Sequence, residues 1–177
     1  FLSKQGLRRD LNQQVSETST GQAPFAAIVG FIDSRVPAEM IFDQGIGDLF
    51  NVRIAGNFIN TDILVSLDFS CKVAGSKLIL VLGHSSCGAV KGAIDAVNLG
   101  NLTSMLSKFQ PAVVAIEENG DRSSANAPFV QKVVDKDIEN AIANIKSGSP
   151  VLKEMLDNGE IDIRGAMYDV ATGKVHF

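Results

Sequence analysis

The stretch Lys77-Leu-Ile-Leu-Val-Leu-Gly83, followed directly by His84-Ser-Ser-Cys87-Gly88, decides the fold class of this chain. An unbroken apolar run of strand length indicates a strand that is buried on both faces, which is typical of a parallel sheet covered by helices. Pro24-Phe-Ala-Ala-Ile-Val-Gly30 repeats the pattern, and residues 49–55 form a third, more polar candidate strand. We therefore predict an α/β fold with parallel strands at its centre.

Helical patterns fill most of the remaining sequence. Leu64, Leu67 and Cys71 recur at helical spacing, and Gly75 marks the end of that helix. Near the carboxyl terminus, Ala-Thr-Gly (171–173) between two apolar segments is a hairpin signal. We predict a mostly parallel central sheet flanked by helices, with an antiparallel edge and a C-terminal hairpin. The predicted helices are 61–74, 89–99, 102–117, 129–145 and a last one that opens at Ser149-Pro150, and the hairpin strands are 162–169 and 174–177.

Composition indicates a globular chain of ordinary size. Its 177 residues are 45% hydrophobic and 20% charged, so we expect a single domain over residues 1–177. Sixteen basic and twenty acidic side chains give a net charge of -4 without a basic stripe, which argues against a nucleic-acid partner. The apolar runs are too short to span a bilayer, so we expect no membrane contact from this segment.

The first twenty-two residues are polar and compatible with a helix. Because they have no core of their own, we expect residues 1–22 to form a helical arm at a dimer interface. Nothing at the N-terminus resembles a signal peptide, so a cytoplasmic location is the expectation, although the chain begins at Phe1 without a methionine. The two cysteines, Cys71 and Cys87, are expected to stay reduced.

Three polar clusters follow the three candidate parallel strands, where open α/β sheets place their ligand sites. Phe31-Ile-Asp33-Ser-Arg35-Val-Pro37 follows the first strand, and Arg53-Ile-Ala-Gly-Asn57 follows the second. The third strand is followed by Gly83-His-Ser-Ser-Cys-Gly88. We therefore expect a functional site at this edge of the sheet.

The third cluster offers two metal donors. His84 and Cys87 supply an imidazole and a thiolate at a spacing that lets both reach one tetrahedral ion. A capping histidine beside a small buried cysteine is the competing structural interpretation. Gly83 and Gly88 favour the metal interpretation, because glycines permit the tight backbone of a ligand loop.

The first cluster offers a carboxylate and a guanidinium. Asp33 and Arg35 are placed to pair, and Arg35 would then lower the pKa of Asp33 and keep it anionic. A structural ion pair at a helix start is an equally good interpretation. Gln44 carries an uncharged amide suited to a small polar substrate, although a surface turn residue is the simpler interpretation. Gly45-Ile-Gly47 and the loop after residue 83 lack the full Rossmann and P-loop patterns.

Four motifs taken together carry a family resemblance. Asp33-Ser-Arg-Val-Pro37, Phe42-Asp-Gln-Gly45, Val52-Arg-Ile-Ala-Gly-Asn57 and Gly83-His-Ser-Ser-Cys-Gly-Ala-Val-Lys-Gly92 occur in the order seen in β-class carbonic anhydrases, and the chain resembles that family from about residue 24 onward. The resemblance implies a homodimer or a dimer of dimers with its cleft between subunits. It also implies reversible hydration of carbon dioxide to bicarbonate by zinc-bound hydroxide.

The resemblance also assigns the site residues. His84 and Cys87 match two zinc ligands, but the third, a cysteine two residues before the aspartate, falls on Phe31, whose ring cannot bind zinc. Asp33 is the possible substitute ligand. Otherwise Asp33 and Arg35 would orient the nucleophile, and Gln44 of a neighbouring subunit would contact bicarbonate. We expect either a carbonic anhydrase with weak or absent zinc and impaired activity, or a catalytically silent paralogue that serves as a binding or assembly module.

Overall fold

A five-stranded sheet forms the centre of the protein in the computed structural model, which describes residues 9–177. The spatial order is β2-β1-β3-β4-β5, in which the first four strands are parallel and β5 runs antiparallel to β4. This confirms the predicted mostly parallel sheet with an antiparallel hairpin at its edge. The strands are β1 Ala26–Phe31, β2 Leu49–Ile54, β3 Leu78–His84, β4 Asp162–Tyr168 and β5 Val175–His176.

Helices connect and cover the strands. The last long helix begins at the Asn126 cap, and the next begins at Ser149, whose hydroxyl accepts a hydrogen bond from the Leu152 amide at 3.1 Å, as the Ser-Pro pattern predicts. The helices are α1 Leu11–Thr18, α2 Ala38–Ile41, α3 Thr61–Asp68, a π-helical turn Phe69–Val73, α4 Gly88–Ile94, α5 Gly100–Leu106, a 3₁₀ turn Ser107–Phe109, α6 Gln110–Ala115, α7 Ala127–Gly148 and α8 Pro150–Asp157.

The central strands β1 and β3 are buried on both faces, as their apolar runs predict. All six residues of β1 are buried, and β3 is buried from Ile79 to His84. Because side chains alternate across a strand, Val29 and Val81 belong to one core cluster, whereas Ile28 and Leu80 belong to a second cluster on the other face. The carboxyl ends of these two strands are therefore held firmly next to each other.

Several predicted boundaries were wrong. Phe31 and His84 are the last residues of β1 and β3 rather than loop residues after them. The helix predicted over 89–99 ends at Ile94, because Ala96 takes a left-handed conformation with φ 52°. The helix predicted over 102–117 is three short segments. Apolar spacing continues through these turns, so periodicity alone does not reveal them.

The predicted N-terminal arm is only partly within the described residues. Residues 1–8 lie outside them, and α1 begins after the Asp10 cap. This helix has no buried residue, and Leu11 and Val15 are each 56% exposed. Arg9 forms an ion pair with Asp43 at 2.7 Å, which ties the arm to its own chain. Among residues 9–177, no helix has the length and apolar character that a membrane crossing requires.

Helix α7 buries an acidic side chain. Asp137 is 5% exposed, and its Oδ2 atom has no hydrogen-bond partner. Burial disfavours the charged form and raises the pKa of Asp137 from its ordinary 3.8 to about 7. The folded protein therefore keeps this proton at pH values where the unfolded chain has already released it.

We expect Asp137→Asn to flatten the pH dependence of stability. Because the folded-state pKa of Asp137 is raised, its contribution to wild-type stability falls as pH rises from about 4 to about 7. From pH 5 to pH 8 the free energy of unfolding of wild type should fall by about 2 to 3 kcal/mol relative to that of the variant. Urea titrations of both proteins at the two pH values measure this, and parallel pH profiles would contradict it.

Candidate active site

Phe31 and His84 meet at the carboxyl ends of neighbouring strands. Strands β1 and β3 pair in parallel, with Gly30 opposite Leu82, so their last side chains lie side by side. The ring centroids of Phe31 and His84 are 5.0 Å apart in an edge-to-face arrangement of 89°. Phe31 also lies parallel to Phe109 at 6.2 Å and is only 2% exposed. Its ring is thus a core residue that covers one side of the imidazole.

Asp33 and Arg35 form the predicted pair. Arg35 Nε donates to Asp33 Oδ1 at 2.9 Å, and Arg35 Nη2 donates to Asp33 Oδ2 at 2.7 Å. The Arg35 backbone N–H also donates to Oδ1 at 2.9 Å. These contacts hold the pKa of Asp33 well below its usual range, with a smaller contribution from His84. Asp33 is therefore anionic, and both of its oxygens are engaged by one guanidinium.

Arg53 supports this segment from the next strand. Its Nε atom donates to the Phe31 carbonyl at 2.9 Å, and its Nη2 atom donates to the Asp33 carbonyl at 2.6 Å. The sequence places Arg53 in the second polar cluster, but the local sequence pattern did not predict that its side chain would support the turn that carries Asp33. One sequence signal could have predicted this role: Arg53 lies near the end of a predicted parallel strand, at the same edge of the sheet as the Asp33-Ser-Arg35 turn.

His84 presents one unpartnered nitrogen. Its Nδ1 atom lies 3.0 Å from the Ser85 carbonyl, which assigns the ring proton to Nδ1 and leaves a lone pair on Nε2. Nε2 has no hydrogen-bond partner and lies 3.7 Å from Asp33 Oδ2. Burial lowers the pKa of His84, so the imidazole is neutral near pH 7. Nε2 is therefore a buried acceptor beside an anionic carboxylate.

Cys87 lies at the start of α4. It is 2% exposed and free, and burial raises the pKa of its thiol, while the backbone N–H groups of Val90 and Ala89 act weakly in the opposite direction. The expectation that Gly83 and Gly88 provide the tight backbone of this loop was wrong. Ser86, rather than either glycine, takes the left-handed conformation in this loop with φ 55°. A side chain at Gly83 would meet the Cδ1 atom of Ile138 at 2.6 Å, so Gly83 lets Ile138 pack closely against the strand.

These donors do not fit a zinc ion in a three-ligand site. Within residues 9–177, no group of three or more His, Cys, Asp or Glu side chains is arranged to hold a metal ion. The Phe31 ring stands where the resemblance places a thiolate, and Asp33, the possible substitute, is engaged by Arg35. Only His84 and Cys87 remain as free donors, fewer than a catalytic zinc site uses.

A cavity of about 380 Å³ opens beside these groups. Asp33, His84 and Cys87 are its polar residues, and the rest of its wall is apolar. Gln44 does not line it, and the Gln44 amide instead donates to the Phe42 carbonyl of its own chain at 2.6 Å. The apolar wall consists of Phe31, Ile32, Ala55, Gly88, Ala89, Gly92, Val97, Leu102, Met105 and Leu106.

Comparison with known proteins identifies the family. The family model described as carbonic anhydrase matches residues 26–175. Carbonic anhydrase 2 of Mycobacterium tuberculosis is 35% identical over 161 residues, which are 88% of this chain and 75% of that protein. The chain belongs to the β-carbonic anhydrase family.

Solved structures of family members share the fold. The β-carbonic anhydrase CcaA superposes with a TM-score of 0.83 at 24% identity, over 93% of this chain and 84% of CcaA. A β-carbonic anhydrase of Sordaria macrospora, from a study of two tetrameric enzymes, gives 0.77 at 22% identity over 93% of this chain and 89% of the other. At these identities the similarity supports the fold, and the active-site roles have to be argued from this chain's residues.

We expect Arg53→Met to destabilise the protein by about 1.5 to 3 kcal/mol, because it removes two charge-assisted hydrogen bonds to the turn that carries Asp33. Arg164→Met is the matched control. Arg164 is exposed and its side chain pairs with the exposed Asp162, so its loss should cost less than about 1 kcal/mol. Urea unfolding measures both, and equal effects would contradict a supporting role for Arg53.

Proposed function

We propose that this chain catalyses the reversible hydration of carbon dioxide to bicarbonate, and that Phe31 impairs this activity. One observation carries the proposal: the neutral His84 and the anionic Asp33, which is paired with the cationic Arg35, line one apolar cavity at the carboxyl edge of the sheet. Membership of the β-carbonic anhydrase family supports the same reaction.

The chemistry of the cavity suits both sides of this reaction. Carbon dioxide has no net dipole or charge, so an apolar wall accepts it without the cost of burying a polar group. Bicarbonate is an anion, and Arg35 with its side chain 49% exposed at this end of the site provides a positive charge for it. In this proposal Gln44 of a partner subunit adds a hydrogen bond to bicarbonate.

The polar groups can prepare a water molecule. A water between Asp33 Oδ2 and His84 Nε2 would donate to both atoms, which orients its oxygen toward the apolar cavity. When that oxygen attacks carbon dioxide, His84 Nε2 takes the proton, and bicarbonate leaves with the negative charge. Because burial lowers the pKa of His84, the ring is a weak base, and this route is slow.

The missing third ligand accounts for the impairment. In the family, zinc lowers the pKa of a bound water toward neutrality. A general base alone activates a water molecule less strongly than zinc does. His84 and Cys87 are two donors, so in this proposal they hold zinc only weakly.

A silent module is the second candidate function. Phe31 is nearly fully buried and packs against both His84 and Phe109. Its ring therefore fills the space beside His84, and this part of the site is well packed without a metal ion. Such a chain would keep the fold and the subunit interface while binding or assembling with other molecules. Zinc binding and turnover in variants of residue 31 separate the two candidates.

Phe31→Cys should bind close to one zinc ion per chain and hydrate carbon dioxide much faster than wild type. The substitution supplies the missing thiolate and removes the ring beside His84, while Asp33, Arg35 and Cys87 stay in place. Phe31→Ala is the matched control, because it opens the same space without a metal ligand. Zinc content of dialysed protein and stopped-flow carbon dioxide hydration, each with and without added zinc, give the readout.

The controls also separate the outcomes. Loss of the ring costs on the order of 3 kcal/mol in both variants, so thermal unfolding must show that each is folded. Equal zinc content in folded Phe31→Cys and Phe31→Ala would favour the silent module. If neither wild type nor Phe31→Cys hydrates carbon dioxide faster than buffer, the proposed reaction is wrong.

We also propose that the chain forms a homodimer or a dimer of dimers. Strand β2 is an edge strand, and beside it Val65 and Phe69 are 61% and 46% exposed. An apolar surface along an unpaired edge is typical of a subunit interface. The tetrameric enzymes of Sordaria macrospora support assembly through the same fold.

Phe69→Asp should convert the dimer into a monomer, because it places a charge in the apolar surface beside β2. Val114→Asp is the control, since Val114 is 74% exposed on α6 and does not line the cavity beside β2. Sedimentation at micromolar concentration measures both variants. A monomeric wild-type protein, or equal dissociation in both variants, would contradict this interface.

A further inference from the structure

A second cavity of about 280 Å³ lies between the loop after β2, the start of α6 and helix α7. It shares no lining residue with the candidate active site. Asn57 and Asp137 line it together with Phe58, Lys108, Pro111, Asn140, Ala141, Ala143 and Asn144.

The cavity contains buried polar atoms without partners. Asn57 is fully buried, and neither its Nδ2 nor its Oδ1 atom has a hydrogen bond. Asp137 is 5% exposed, and its Oδ2 atom is also unpartnered. Across residues 9–177, three of the four buried side-chain atoms of this kind belong to two residues that line this one cavity. Buried polar groups are nearly always hydrogen-bonded, so these atoms indicate an occupant that both donates and accepts.

Above pH 7 the charges around the cavity favour a neutral occupant. Lys108 is exposed, and its Nζ atom lies 4.8 Å from the centre of the Phe58 ring. It therefore places a positive charge at the mouth of the cavity, which disfavours a cation. Asp137 lies in the buried part, and once it ionises above its pKa of about 7 its carboxylate disfavours an anion. Asn140 and Asn144 stand one helical turn apart and add only uncharged amides to the wall.

We propose that this cavity binds a small neutral molecule with a primary carboxamide or urea group. The carbonyl of such a group accepts from Asn57 Nδ2, and its NH₂ donates to Asn57 Oδ1 and Asp137 Oδ2. All three unpartnered atoms are thereby satisfied by one functional group. The volume lies at the low end of ligand pockets, which limits the occupant to a few heavy atoms.

Three probes of similar size and different charge test the proposal: propionamide, propionate and propylammonium. Titration of ¹⁵N-labelled protein followed by NMR reports on the Asn57 side-chain NH₂ directly. At pH 8, where Asp137 is ionised, we expect propionamide to shift this signal and to bind at least roughly tenfold more tightly than either charged probe, because only the amide satisfies both donors and acceptors. Asn57→Leu should abolish the binding.

Two further variants keep the test decisive. If Asn57→Leu does not fold, Asn57→Asp keeps the shape, removes the donors and should shift the preference to propylammonium. Lys108→Met changes only the mouth and should leave propionamide affinity unchanged. Equal or tighter binding of a charged probe, binding unaffected by Asn57 substitution, or no binding of any probe, which would mean that water alone fills the cavity, would each overturn the proposal.

Discussion

The contact between Phe31 and His84 follows from the pairing of two buried parallel strands. Because β1 and β3 are covered on both faces, a one-residue slip in register would exchange side chains between the two core clusters and disrupt the packing of both. Their carboxyl ends are thus held side by side, and an aromatic ring packs edge-on against a buried imidazole. The surroundings of that imidazole follow from this constraint.

A ring in this position changes the electrostatics of the site. A thiolate would bring negative charge and a metal ligand, whereas Phe31 brings an apolar surface that helps to desolvate His84 and keep it neutral. Asp33 remains anionic because Arg35 engages both of its oxygens. The result is a site with one carboxylate, one guanidinium and one uncharged base at the end of an apolar cavity. In the proposed function such a site still accepts carbon dioxide and bicarbonate, but it lacks the donors that would hold zinc firmly.

Buried polar atoms without hydrogen-bond partners occur at both of the sites that we propose. Over the part of the chain that the structure describes, the four such buried side-chain atoms belong to His84, Asn57 and Asp137. His84 lines the apolar cavity of the candidate active site, and the other two line the second cavity, beside α6 and α7. A polar group that is buried without a partner lowers stability, and in our proposals a bound molecule supplies the missing contact at each of these positions.

The amino-acid sequence determined the sheet, the order of the elements and the family, because buried parallel strands, capped helices and a hairpin leave local patterns. It also placed Asp33, Arg35, His84 and Cys87 at one edge, since that edge follows from strand direction alone. It did not reveal where 89–99 and 102–117 break, because apolar spacing persists through turns. Only the tertiary structure decided that Phe31 belongs to β1 and covers His84, that Arg53 supports the Asp33 turn, and that Asn57 and Asp137 line one cavity. These are contacts between residues far apart in the chain, and they depend on how helices and strands pack rather than on any local pattern.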